Sequence, residues 1–124
     1  MNEKPIFIQL IEMIEDGIIS GVYNAGDLVI SSTQICKLYK VNPATAMRAL
    51  AVLADNGIII KDRGIGMRVT DGAKAVVAAR RSERFFGEIL KGLLAEAEKL
   101  NIGKEQLIDL IEKNYKENGD DTNN

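Results

Sequence analysis

A chain of 124 residues is the size of one domain, or of one domain with a small appendage. It has no histidine and one cysteine, Cys36, which excludes an intrachain disulfide, the Ser-His and Cys-His nucleophile pairs and most zinc sites. The formal net charge of −2 is unevenly spread: from Lys37 to Arg84 ten Lys/Arg stand against four Asp/Glu, a local +6, inside acidic flanks.

No apolar run reaches the ~18 residues of a membrane-spanning helix, and no signal peptide is visible at the N-terminus. A cytoplasmic protein with no membrane partner is expected.

Ile6 to Ser20 reads as an amphipathic helix behind Pro5. Phe7, Leu10, Ile11, Ile14 and Ile18 recur at three and four residues, with Glu12, Glu15 and Asp16 facing away. Gly21 and Asn24-Ala25-Gly26-Asp27 supply the turn chemistry that ends it. Ser31 and Gln34 have capping-box spacing and open a short helix with Ile35, Leu38 and Tyr39 inward. Asn42-Pro43 opens the next, because Asn caps well and Pro suits the first helical position. That helix carries Ala46, Leu50 and Leu53 on one stripe, and Gly57 is its left-handed stop. Two helices joined by so short a turn form a helix-turn-helix.

Ile58-Ile59-Ile60 and Met67-Arg68-Val69-Thr70 are β-prone runs, with Arg63-Gly64-Ile65-Gly66 between them. They read as a hairpin, and a hairpin directly behind a helix-turn-helix is a wing. From Ala73 the chain reads helical again until Asn101-Ile102-Gly103, and a last helix runs from Lys104 to Lys116. The predicted fold is therefore mainly α with a small β-hairpin. A winged helix-turn-helix spans 1–71, a C-terminal two-helix dimerisation segment spans 72–117, and a disordered tail spans 118–124.

Five strings, in order, carry a family resemblance. They are Pro5-Ile6-Phe7, Ile19 to Asp27, Val41 to Leu50, Leu53 to Ile59, and Arg63-Gly64-Ile65-Gly66. Together they resemble the N-terminal domain of the GntR family of bacterial winged-helix regulators. The Asn-Pro-x-Thr start of the third helix and the short two-helix tail resemble its YtrA subfamily. The resemblance implies a transcriptional regulator, a repressor in mode, that binds a palindromic double-stranded DNA operator as a homodimer. It implies no enzyme activity, catalytic residue, metal or cofactor. A winged-helix module for protein contacts, with weak or no DNA binding, is the alternative reading.

In this motif the second helix enters the major groove by its N-terminal residues. That points to Asn42, Ala44, Thr45 and Arg48, with Arg48 placed to reach a base edge and Asn42 and Thr45 suited to phosphate. The plain readings are an N-cap for Asn42 and a solvated face for Arg48. Arg63, Gly64 and Gly66 form the wing contact, and Ser31 resembles the family's phosphate-binding serine. Thr33 stands where an arginine is common, so its cationic contact passes to Lys37, Lys40 and Arg68. Cys36 reads as packing.

Phe85, Phe86, Ile89, Leu90, Leu93, Leu94, Leu107 and Ile111 exceed what a short tail can bury on its own domain, which points to an intersubunit core, with packing onto the first helix as the plain alternative. Larger family members append a ligand-binding domain. This tail is too short for a closed pocket of ~300 Å³, so the small-molecule effector is unknown.

Overall fold

The computed structural model describes the backbone of residues 4–123 and the side chains of residues 4–115. Helix α1 (Ile6–Ser20) is followed by α2 (Ser32–Tyr39), α3 (Pro43–Asp55), an antiparallel hairpin of β1 (Ile59–Asp62) and β2 (Gly66–Val69), and α4 (Ala73–Arg84). Helix α5 (Lys91–Lys99) and helix α6 (Lys104–Asn123) complete the chain, and Phe85–Leu90 between α4 and α5 winds as a π-helix. The mainly α fold with one small hairpin is as expected. The tail expected over 118–124 lies outside the residues described in full.

Two compact units divide at Arg81 and Ser82. The first runs ten residues past the boundary expected at 71, because Ala73 and Val77 of α4 are fully buried in its core. That core gathers Leu10, Ile11, Ile14 and Ile18 of α1 with Ile35 of α2. Ala46, Ala49, Leu50 and Leu53 of α3 join them, as do Ile58, Ile59 and Val69 of the hairpin. The apolar stripes of α1 and α3 match the periodicity. Leu38 does not: expected inward on α2, it is 68% exposed, because eight residues bury one row, which Ile35 fills.

Glu15 also departs from its expected place. By its spacing it belongs on the solvent side of α1, yet it is 7% exposed. Arg81 explains the burial: its guanidinium donates to Glu15 Oε1 at 3.1 Å, to Asp16 Oδ1 at 2.9 Å and to the Glu12 carbonyl at 3.2 Å. Burial alone would lower the Arg81 pKa, but hydrogen bonds to Asp16 and Glu15 and their charges carry it above its usual value. This cluster fastens the C-terminal part of α4 to α1.

The helix ends follow the sequence closely. Ser31 and Gln34 form the reciprocal capping box, and Asn42 caps α3 by accepting the Thr45 N–H at 2.9 Å. Gly57, at φ +76°, turns the chain into β1. Mid-helix Gly17 has a packing reason instead: a Cβ there would stand 2.8 Å from the Tyr23 ring, which folds back against α1.

The second unit, Ser82–Asn124, buries only Ala97 among its described side chains. Its helices α5 and α6 are joined by a Schellman-type turn. Ile102 N–H bonds the Ala97 carbonyl, Asn101 N–H bonds that of Glu98, and Asn101 takes the left-handed conformation at φ +58°.

Candidate nucleic-acid interface

The turn between α2 and α3 is three residues, Lys40, Val41 and Asn42. Lys40 closes α2 in the left-handed conformation at φ +55°, its N–H bonded to the Cys36 carbonyl at 3.0 Å. Asn42 is extended, so the chain reverses and α3 starts with its first turn open to solvent. Asn42, Ala44 and Arg48 are exposed there, and Thr45 is half-buried. The Asn42 side-chain oxygen Oδ1 accepts the Thr45 N–H, so the cap is formed and its amide N–H₂ is the part left for a ligand.

The first turn of α2 lies close to both other parts of the site. Ser31, Thr33 and Gln34 line one open groove with Ile65 and Gly66 of the wing. Ser32, Thr33 and Lys37 line another with Pro43 at the start of α3. The first turn of α2 thus lies beside Pro43 on one side and beside Ile65 and Gly66 of the wing on the other. At the wing tip, Arg63 and Gly64 are exposed, with Gly64 at φ +79°, a backbone region that suits glycine.

The cations sort into two kinds. Lys37, Lys40, Lys61 and Arg63 are exposed, and among the described residues none takes part in an ion pair. Arg68 is committed: its Nε pairs with Asp62 across the hairpin and its Nη1 donates to the Gly26 carbonyl at 2.8 Å. It ties β2 to the 26–29 segment, which runs along that strand's other edge through Val29 N–H to Met67 O and Gly26 N–H to Val69 O. Of the three cations expected to stand in at Thr33, Arg68 is engaged within the fold, while Lys37 and Lys40 are exposed.

Arg48 lies differently from its plain solvated reading. Its guanidinium sits over the Phe7 ring, 3.8 Å from the centroid, so α1 holds the side chain. The sequence placed Phe7 in the helical core stripe, and nothing in local periodicity pairs it with residue 48. Met47 was not singled out, yet it is 59% exposed on α3.

The second unit presents an apolar surface. Phe85, Phe86, Ile89, Leu93, Leu94 and Ile111 are all exposed, and Leu90 and Leu107 are half-buried. Phe85 and Phe86 meet edge to face at 5.5 Å. Leu93, Leu107 and Ile111 line an open groove between α5 and α6, with Leu110, Asn114 and Tyr115.

Residues 8–69, half of the chain, match the family model for bacterial regulatory proteins of the gntR family. This chain belongs to that family. A GntR family transcriptional regulator from Listeria monocytogenes has the same fold, at a TM-score of 0.73 and 31% identity, over 91% of this chain and 97% of that one. The HTH-type transcriptional regulator YhcF of Bacillus subtilis is 26% identical over 118 residues, 95% of each chain. The HTH-type transcriptional repressor YtrA of the same organism is 27% identical over 112 residues, 90% of this chain and 85% of its own. The GntR chain described here is thus a transcriptional regulator and not an enzyme. Its relatives match both compact units, and no helix among the described residues is long and apolar enough to cross a membrane.

Proposed function

We propose that this GntR regulator acts in the cytoplasm as a YtrA-like repressor, binding a palindromic operator as a homodimer. The observation that carries the DNA side is the set of exposed, unpaired cations Lys37, Lys40, Lys61 and Arg63 on α2, its closing turn and the hairpin, with Lys37 lining a groove beside Pro43 at the open first turn of α3. A groove lined by phosphates attracts such a set, and the helix N-terminus adds to it. Ser31 and the Asn42 amide contact phosphate, Ala44 and Thr45 face the groove, and the wing reaches the backbone through Arg63, Gly64 and Gly66. Thr33 lies among them without a charge. Arg48, held over Phe7, contacts phosphate rather than a base edge. The likeness to a relative named a repressor supports the sign of regulation.

The homodimer is supported by the exposed apolar side chains Phe85, Phe86, Ile89, Leu93, Leu94 and Ile111, with Leu90 and Leu107 beside them. A surface of this size on one unit is covered by a second copy. Twofold symmetry then relates two copies of α3, matching a palindrome whose half-sites lie about one DNA turn apart, ~34 Å.

Gel shifts of the full chain on the DNA upstream of its own gene, across a salt series, test the reading. Binding should weaken steeply as salt rises. Binding indifferent to salt, or none to any upstream fragment, refutes it and leaves the protein-contact module, which exposed Leu38 and Ile65 would serve.

A further inference from the structure

The exposed face of α3 is short of hydrogen-bonding groups. Its exposed residues are Pro43, Ala44, Met47, Arg48, Ala51 and Asp55. Arg48 is the one cation among them, and it lies over Phe7. Asn42, just before the helix, has its side-chain oxygen committed to the cap. Reading guanine or adenine in the major groove takes a side chain with two well-aimed donors or acceptors. No unengaged side chain on the exposed first two turns of α3 offers that pair.

What the face does offer is apolar. Ala44 and Met47 are spaced i, i+3 and so are neighbours on the helix surface. Met47 sits about 6 Å along the axis from the first helical residue, within the part of a recognition helix that enters the groove. Its side chain is long, flexible and polarisable, and it is excluded from the core that Ala46, Ala49, Leu50 and Leu53 fill. One exposed methionine is ordinary on a protein surface. Met47 differs because it stands on the exposed face of α3, one turn beyond Pro43, which lines a groove with Lys37. The major groove has one apolar feature, the 5-methyl group of thymine.

We infer that Met47 is a specificity-determining residue that packs on a thymine 5-methyl group in each operator half-site, with Ala44 beside it. This rests on the DNA-binding reading above. Sequence preference then comes from methyl contact, while the surrounding lysines and arginines supply affinity without sequence information.

The test uses the full chain and a random library of double-stranded oligonucleotides, from which the tightest-bound sequence is selected. Each thymine of that sequence is then replaced singly by deoxyuridine, which deletes the methyl and nothing else. The expected result is one or two positions per half-site where this weakens binding about four-fold, or about fifteen-fold when both half-sites are changed. Met47→Ala should weaken binding to the selected sequence similarly, abolish the sensitivity to deoxyuridine, and leave binding to unrelated DNA and its salt dependence unchanged. Met47→Gln keeps the length but brings an amide, and should shift the preferred base at that position to adenine. Both variants alter an exposed side chain, and circular dichroism verifies that they fold. A selected sequence bound equally with thymine or uracil throughout, or a deoxyuridine profile that survives Met47→Ala, overturns the proposal alone. Failure to select any sequence overturns the DNA-binding reading beneath it.

Discussion

The pairing of Arg48 with Phe7 makes a quantitative prediction. At 3.8 Å from the ring centroid the guanidinium is well inside the ~6 Å range of a cation–π contact, and the exposed setting of α3 sets its worth at about 0.5–1 kcal/mol. The contact fixes the side chain before DNA arrives, so part of the ordering cost of a long arginine, up to about 2 kcal/mol, is met in the free protein. Phe7→Leu keeps an apolar side chain but removes the ring. It should weaken operator binding two- to five-fold per protomer. Arg48→Ala removes the phosphate contact itself, about 1.5 kcal/mol or roughly ten-fold, and should do so alike on all DNA sequences. It should also make the salt dependence shallower by about 0.9 per lost contact. Fluorescence anisotropy on labelled duplexes at several salt concentrations measures all three quantities. The deciding comparison is the double mutant, in which Phe7→Leu should add nothing once Arg48 is gone. If Phe7→Leu costs as much in the Arg48→Ala background, the ring acts through the fold of α1. If Arg48→Ala relaxes sequence preference, the arginine reads a base.

Other consequences follow from the same geometry. Arg81→Ala strands the Glu15 carboxylate, 9% exposed at the side chain, without its partner. With Arg81 itself 30% exposed, about half the 3–5 kcal/mol of a fully buried pair is expected, near 2 kcal/mol, read as a fall in Tm of roughly 10 °C by circular dichroism at fixed chain concentration. The double replacement Arg81→Met with Glu15→Met should recover most of that loss, and failure to recover it would mean that the charges do more than satisfy each other. Lys40→Gly relieves a left-handed lysine at φ +55°. It should raise stability by about 0.5–1 kcal/mol in urea titrations while weakening DNA binding, since a cation is lost. Equal or tighter DNA binding would place Lys40 outside the interface. Leu94→Glu on the apolar face should shift sedimentation at low concentration toward monomer with helix content intact, and an unchanged dimer would move the interface elsewhere.

Much of the helix-turn-helix was legible because its signals are local. Capping at Ser31 and Asn42, Pro43 at the first turn, Gly57 after α3 and the two-residue alternation of glycines in the wing act within a few residues, so the chain order displays them. The apolar stripes of α1 and α3 were equally plain, since 3.6-residue spacing is visible without a partner. The apolar excess of the second unit could also be read from residue types alone.

Tertiary structure decided how polar side chains were used. Arg68 resembled a spare cation in the sequence, yet it is spent on Asp62 and on Gly26, 42 residues away. Glu15 belonged to a polar face by periodicity, but Arg81, 66 residues later, makes its burial tolerable. Arg48 was correctly placed on the exposed side of α3 and still lies against Phe7 of another helix. A hydrophobic pattern specifies which face of a helix is buried, because apolar burial is non-directional and needs only the right side. A charged group needs a particular partner at hydrogen-bond distance, and that partner exists only once distant segments are packed together.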